Sequence, residues 1–396
     1  MTELLHCELL EVGGRTYRVL GRSSTANPSH GLEGDEGGGS WRQGTVIDEE
    51  DGAMGTDDPA IKQEGDQYVA HIEVDMEILP LIIGAKGATK KRIEQDTGAR
   101  LLIPRKEAAS PSGSGSSSSS SSEVVVQGDS RGGVARARTQ VELVIASALG
   151  SNRLDYNYFL CLPLATDALR VAMDRFKQQV LAEAGAAAAG IEGSIFMKPA
   201  HLHLTLAMLK LYSEDSRQRA RQVLHSLAPA VQGILRGEPL TVQLKGLEYM
   251  NDDPSQMHVM YLGVRGPPGQ EGALQRLRQL CSAVVAAFGR EGLLLPQDER
   301  EVKLHATVLN TRYRRPAPGA AGQPQQQRDR QQQGQQAQQG RPRIDRQPFD
   351  GRLLLEKYGD IDFGLVTLPA VHLGQRGKYG ADGFYFCADS LPLGDA

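Results

Sequence analysis

Along this chain two periods of apolar spacing take turns. In YVAHIEVDMEI, from Tyr68, and in HLHLTLAML, from His201, apolar residues fall at every second place, the spacing of a half-buried strand. In the stretch holding Val134, Ala137, Val141, Val144 and Ala148 they recur every three or four places, which marks one face of a helix.

Read this way, residues 1–20 contain a hairpin, LLEVGGRTYRVL, with Gly13 and Gly14 as its two-residue turn. Residues 64–150 give a strand (YVAHIEVDMEI), a short helix (LPLIIG), a turn (GAKG), a helix (ATKKRIEQDTGA), a strand (RLLIPR), a strand (EVVVQGD) and a helix. From residue 154 to 396 the pattern opens with the buried strand YNYFLCLPL and a helix from Thr166, its N-cap, to Ala184. The HLHLT strand comes next. One helix over SEDSRQRARQVLHSLAPAVQGIL follows, then strands TVQLKGLEYM and MHVMYLGVR, a helix from Glu271 to Phe288 and the strand KLHATVLN. The helix FDGRLLLEKYG, the strand LVTLPAVHLG and the strand GFYFCAD close the chain. Strand, helix, strand, helix, strand, given twice, predicts two similar lobes.

Composition separates these segments. Residues 21–63 are rich in Gly, Asp, Glu and Ser and hold too few apolar groups to offset the entropy of folding, so they read as a disordered linker. The serine run 110–122 reads as a flexible loop inside the first domain, and the Pro, Gly, Gln and Arg tract 316–343 as a disordered insertion in the second. No run reaches the ~18 apolar residues of a membrane helix, and the acidic opening MTELLHCELLEVGG is unlike a secretory signal. The four cysteines stand singly with no C-x-x-C pair, as in a reducing compartment. The net charge is −4, so contact with nucleic acid must come from a local patch. One exists between Gly84 and Lys106, where seven basic residues face two acids.

Within that patch, Gly84-Ala85-Lys86-Gly87 joins two short helices. Two glycines let the backbone approach a flat or charged ligand, and amides at the start of the next helix favour phosphate. By itself GxxG is also what a tight turn with a solvated basic face gives. Set inside IIGAKGATKKRIEQDTGARLLIP, however, it resembles a KH domain of the eukaryotic type I topology, β-α-α-β-β-α. The resemblance implies single-stranded RNA, or single-stranded DNA, clamped at the loop. It assigns the phosphates to Gly84, Ala85, Lys86 and Gly87 with Lys90, Lys91 and Arg105 near them, and the bases to a groove lined by Ile82, Ile83 and Ile103.

A second pattern is H-x-T, found at His203 and Thr205 and again at His305 and Thr307. Residues i and i+2 of a strand share a face, so each imidazole has a hydroxyl beside it. A single H-x-T in an apolar run is equally what a core histidine gives. Its recurrence at corresponding places in two lobes points to one shared site. Two histidines supply a base at the nucleophile and an acid at the leaving oxygen of a phosphodiester without metal, and two hydroxyls hold the phosphoryl oxygens. His201, on the same predicted strand, raises zinc as an alternative, against which no Asp, Glu or Cys stands nearby at ligand spacing. No metal and no cofactor are expected.

The paired strands resemble the two-histidine (2H, LigT-like) phosphoesterase superfamily. That resemblance implies His203 and His305 as acid and base and Thr205 and Thr307 as phosphate anchors, with Tyr379 and Tyr385 as candidates to stack on a substrate base at the cleft mouth. The expected fold class is therefore α+β, a KH domain followed by a bilobal two-histidine phosphoesterase. A KH module, this phosphoesterase, GLEYMNDDP between the catalytic strands and QPFDG after them together resemble a subunit of a nuclear transcription-coactivator complex. The implied role is an RNA phosphodiesterase that works beside a large helicase subunit, in coactivation and alkylation-damage repair. A non-catalytic nucleotide-binding regulatory subunit is the alternative.

Overall fold

Backbone pairing turns the alternating stretches into two units, residues 1–154 and residues 155–396, in a computed structural model that describes residues 6–12, 15–21, 58–104, 121–270, 272–315 and 346–394. In the first unit, β1 (His6–Val12) and β2 (Arg15–Gly21) form an antiparallel hairpin with Val12 opposite Arg15. A four-stranded antiparallel sheet follows, in the order β3 (Ile61–Glu64), β4 (Gln67–Asp75), β6 (Ser121–Gly128), β5 (Arg100–Leu102). Helices α1 (Leu79–Ile83), α2 (Ala88–Thr97) and α3 (Arg131–Gly150) supply Ile82, Ile93, Val134 and Val141 to the core under Ala70, Leu101, Val124 and Val126. Ser130 starts α3 by accepting the Gly133 N–H, which satisfies one of the free amides of the first turn.

Three boundaries differ from the sequence reading. Ile61 to Gln63, assigned there to the linker, belong to β3, with Ile61 opposite Ala70 and buried. A strand with one apolar residue shows no alternation, and what forms it is main-chain pairing at the sheet edge. Ser121 and Ser122, assigned to the serine loop, pair with Asp75 and Val74 in β6, because the ladder uses peptide groups whatever the side chain. Gly21, the first residue assigned to the linker, ends β2; the remainder of the serine loop, residues 22–57 of the linker and the insertion at 316–343 lie outside the described residues.

The second unit is built on one sheet of eight strands, in the order β12 (Asp362–Thr367), β9 (Thr241–Tyr249), β10 (Val259–Arg265), β11 (His305–Asn310), β8 (His203–Leu209), β7 (Tyr158–Pro163), β13 (Ala370–Tyr379), β14 (Tyr385–Pro392). The sheet has two halves of four strands that meet at β11 and β8, the H-x-T strands. These are not the two sequential lobes predicted: β9, from the first repeat, joins the half that holds β11, and the C-terminal β13 and β14 join the half that holds β8. Helices α4 (Asp167–Ala182), α5 (Glu214–Ser226), α6 (Ala228–Leu235), α7 (Ala273–Arg290) and α8 (Arg352–Tyr358) share a core with Leu160, Leu204, Leu262, Val308 and Leu373.

Proline accounts for two differences here. The single helix read over residues 213–235 is two, because Pro229 cannot bond back to the preceding turn and α6 restarts with it in its first turn. The single strand read over LVTLPAVHLG breaks at Leu368-Pro369. β12 then pairs with β9 and β13 with β7, in opposite halves of the strand order. Only three peptide steps link Thr367 to Ala370, a reach of about 11 Å, so the sheet curls until these two strand termini lie within that distance. Among the described residues no helix is long and apolar enough to cross a membrane.

Candidate functional site

At the loop between α1 and α2, Gly84 has φ +73° and Gly87 φ +80°. A Cβ on Gly84 would overlap Thr89 Oγ1, so glycine is required on space as well as on backbone angle. Ala85 and Lys86 are exposed between them, Lys86 itself at φ +51°. Of the predicted groove residues, Ile83 and Ile103 are half-buried at the surface. Ile82 is not a groove residue. It lies one helical turn after Leu79 on the inner face of α1 and is fully buried in the core. Lys91 is exposed, whereas Lys90 pairs with Glu94 at 3.7 Å, and Glu94 in turn accepts the Leu101 N–H at 2.8 Å, tying α2 to β5. Arg105 lies outside the described residues.

In the second unit, β11 and β8 are antiparallel and pair through Ala306 and Leu204. Continuing that register one residue either way sets His305 across from Thr205 and Thr307 across from His203. Ala306, Val308, Leu204 and Leu206 enter the core with the helices, so all four H-x-T side chains stand on the opposite face of the sheet. The structure thus brings His203, Thr205, His305 and Thr307 into one cluster from motifs a hundred residues apart.

Both rings are held by the same contact. His203 Nδ1 lies 2.7 Å from the His201 carbonyl, and His305 Nδ1 lies 2.6 Å from the Lys303 carbonyl. A carbonyl only accepts, so each Nδ1 carries the proton and each Nε2 is the basic nitrogen. Burial lowers the His203 pKa to about 4; the hydrogen bond to His201 opposes the shift and the charge of His305 adds to it. His305 is lowered chiefly by burial; the hydrogen bond to the Lys303 carbonyl opposes the shift and the Lys303 charge adds to it. Both rings are therefore neutral near pH 7 in the free protein.

Their surroundings differ. His203 packs against Phe159 (5.3 Å between centroids) and edge-on to Tyr385 (5.5 Å, 83°), while His305 packs edge-on to Tyr261 (5.4 Å, 68°), over which Lys303 Nζ sits at 5.2 Å. Sequence reasoning missed Tyr261 and Lys303. Lys303 stands two places before His305 as His201 does before His203, and that spacing was a usable signal. Tyr379 and Tyr385 both lie beside the first motif. Tyr379 is half-exposed and stacks on His201 (4.8 Å, 5°), and the Tyr385 hydroxyl is hydrogen-bonded to Tyr313.

His201 itself is not on the strand. It ends a one-turn 3-10 helix, Pro199–His201, and is buried under the two tyrosines, so the alternation seen from His201 onward starts only at His203.

Comparison with known proteins agrees with this anatomy. The family description "KH domain" matches residues 69–143, and "AKAP7 2'5' RNA ligase-like domain" matches residues 156–393. The chain is a KH domain followed by a 2H phosphoesterase-like domain, a protein of RNA-binding and phosphoesterase-type class. It is 31% identical over 306 residues to activating signal cointegrator 1 complex subunit 1 of Mus musculus, covering 74% of this chain and 75% of that protein. The chain belongs to the family of that subunit. Two solved structures are similar over 61% of this chain and the whole of their own: a protein of Thermus thermophilus (TM-score 0.36, 18% identity) and a phosphoesterase (TM-score 0.30, 15% identity).

Proposed function

We propose that this protein is a metal-independent phosphodiesterase acting on RNA or oligonucleotides, with the KH domain holding the strand and the H-x-T cluster breaking or closing the phosphodiester. The observation that carries the reading is the matched pair of imidazoles, both with Nδ1 donated to a main-chain carbonyl and both with Nε2 available on the face that carries the two threonines.

Two nitrogens of this kind are what in-line displacement at phosphorus requires. One Nε2 removes the proton of the attacking hydroxyl or water, the new P–O bond forms as the old one breaks, and the other imidazole, protonated, returns a proton to the leaving oxygen. His203, whose ring is held further toward the neutral form, takes the part of base, and His305 that of acid. Thr205 and Thr307 donate to the two non-bridging oxygens as negative charge grows on them. A bound phosphate also favours the protonated imidazole, which supplies the acid that the free protein lacks near pH 7.

We place this chemistry in the nucleus, as a subunit of the activating signal cointegrator complex beside its helicase subunit, with roles in transcription coactivation and alkylation-damage repair. Support for that setting is the kinship with the mouse complex subunit. The test is turnover, in EDTA, of short RNAs with defined ends by the native chain and by His203→Ala and His305→Ala. Cleavage by the native chain that both variants lose while RNA binding persists is the expected result. Tight binding without cleavage would overturn the catalytic reading in favour of a recognition subunit.

A further inference from the structure

A third histidine shares the face that carries the H-x-T cluster. His372 lies on β13 between Val371 and Leu373, both of which enter the core, so its ring points to the other side. Its Cα partner is Cys161 on β7, and the partner of Cys161 on β8 is Thr205. His372 is therefore in one row with Thr205, two strands away, on the aromatic side of the cluster.

Unlike His203 and His305, this ring has no main-chain carbonyl at Nδ1. The atom is buried and has no hydrogen-bond partner. Phe384 stands between the two rings, edge-on to His372 (6.0 Å, 74°) and to His203 (6.4 Å, 80°). A buried polar atom left without a partner costs stability and calls for an explanation, which a ligand that completes it beside the H-x-T cluster would supply. The shape of that ligand follows from charge. Burial keeps His372 neutral, so the ring offers one donor and one acceptor, and the Asp382 carboxylate acts on it electrostatically. A second phosphate would meet that carboxylate. An uncharged edge carrying both a donor and an acceptor would not, and the bases and ribose hydroxyls of a nucleotide provide one.

We infer that His372 is a specificity residue that hydrogen-bonds the nucleoside attached to the phosphate held by the H-x-T cluster. This rests on the reading of that cluster as a nucleotide phosphate site.

The test is binding, independent of turnover, on the full chain carrying Ala85→Asp and Lys86→Asp so that the KH loop does not contribute. Uridine 5′-monophosphate, ribose 5-phosphate and inorganic phosphate are titrated against that protein and against its His372→Phe and His372→Asn forms. Phe keeps the packing on Phe384 and removes the orphaned nitrogen. The expected result is about tenfold weaker binding of the nucleotide by the Phe form, unchanged binding of inorganic phosphate, a Tm no lower than before, and partial recovery in the Asn form. Loss shared by ribose 5-phosphate identifies the ribose as the contact, and loss confined to the nucleotide identifies the base. Equal loss for inorganic phosphate, or none for the nucleotide, overturns the inference while leaving the cluster's own role standing. Failure of the parent protein to bind the nucleotide overturns both.

Discussion

His203 and His305 are related as mirror partners across one strand pair: each donates Nδ1–H to the carbonyl two residues before it, and each stands across from the threonine of the other motif. Because the threonines are exchanged between motifs, neither half of the sheet holds a complete site. Removing either histidine is expected to lower turnover by about 10²–10⁴, the usual worth of general acid or base catalysis, with oligonucleotide affinity within a few-fold of native. Thr205→Ala and Thr307→Ala should each cost about a hundredfold in kcat, as loss of one donor to a developing oxyanion does, and the serine forms should recover most of it. Single-turnover kinetics measures both. A threonine variant at native rate would remove the hydroxyl from the mechanism.

The depressed imidazoles set the pH dependence of turnover. A step needing one neutral and one protonated ring gives a bell whose limits belong to the pair, and kcat/KM reports the free protein. With His203 lowered to about 4 and His305 below its ordinary value, the maximum should fall below pH 6.5. A pH profile of kcat/KM peaking at pH 7 or above would contradict this.

Stability should respond to the same rings. The folded protein refuses a proton on His203 that the unfolded chain accepts, so the unfolded state binds more protons between pH 6.5 and about 4 and stability falls as pH drops through that window. The span corresponds to about 3 kcal/mol at most, and less where solvent reaches the ring. His203→Gln should flatten that part of the curve, which denaturant unfolding at a series of pH values would show.

In the KH loop, space and charge are separable. Gly84→Ala drives a Cβ into Thr89 and asks alanine for a positive φ, so a loss of about 2 kcal/mol is expected in a thermal melt. The pair Ala85→Asp and Lys86→Asp, both exposed, should leave the melt unchanged and weaken RNA binding at least tenfold, read by fluorescence anisotropy.

Gly374 faces the ring of Phe159, which a Cβ there would approach to 2.9 Å. Since Phe159 packs on His203, Gly374→Ala should displace the ring and reduce kcat about tenfold without removing any chemical group from the site. Unchanged kcat would show that Phe159 has room to yield.

How much of this could be read beforehand depends on the range of the forces involved. The GxxG loop was legible because its two glycines answer a local steric demand and the helices around it are written in local spacing. Ile82 was misplaced because apolar character alone does not say which side of a five-residue helix is inward; packing against α2 and α3 does. The split of LVTLPAVHLG was signalled by Pro369, but that its two parts go to opposite halves of the sheet was not, since strand partners are chosen by long-range pairing. His372, Tyr261 and Lys303 carry no motif of their own and became visible only as neighbours of the cluster.

What the sequence by itself determined is the content of each element: two H-x-T pairs with imidazole and hydroxyl on one strand face, a glycine-framed turn between two helices, and the apolar faces that make both units fold. Those follow from side-chain period and backbone sterics, which act over a few residues. Only the tertiary structure decided that Ala306 lies opposite Leu204. That single register sets each histidine across from the other motif's threonine, and because side chains alternate along a strand, a slip of one residue would have put them out of reach.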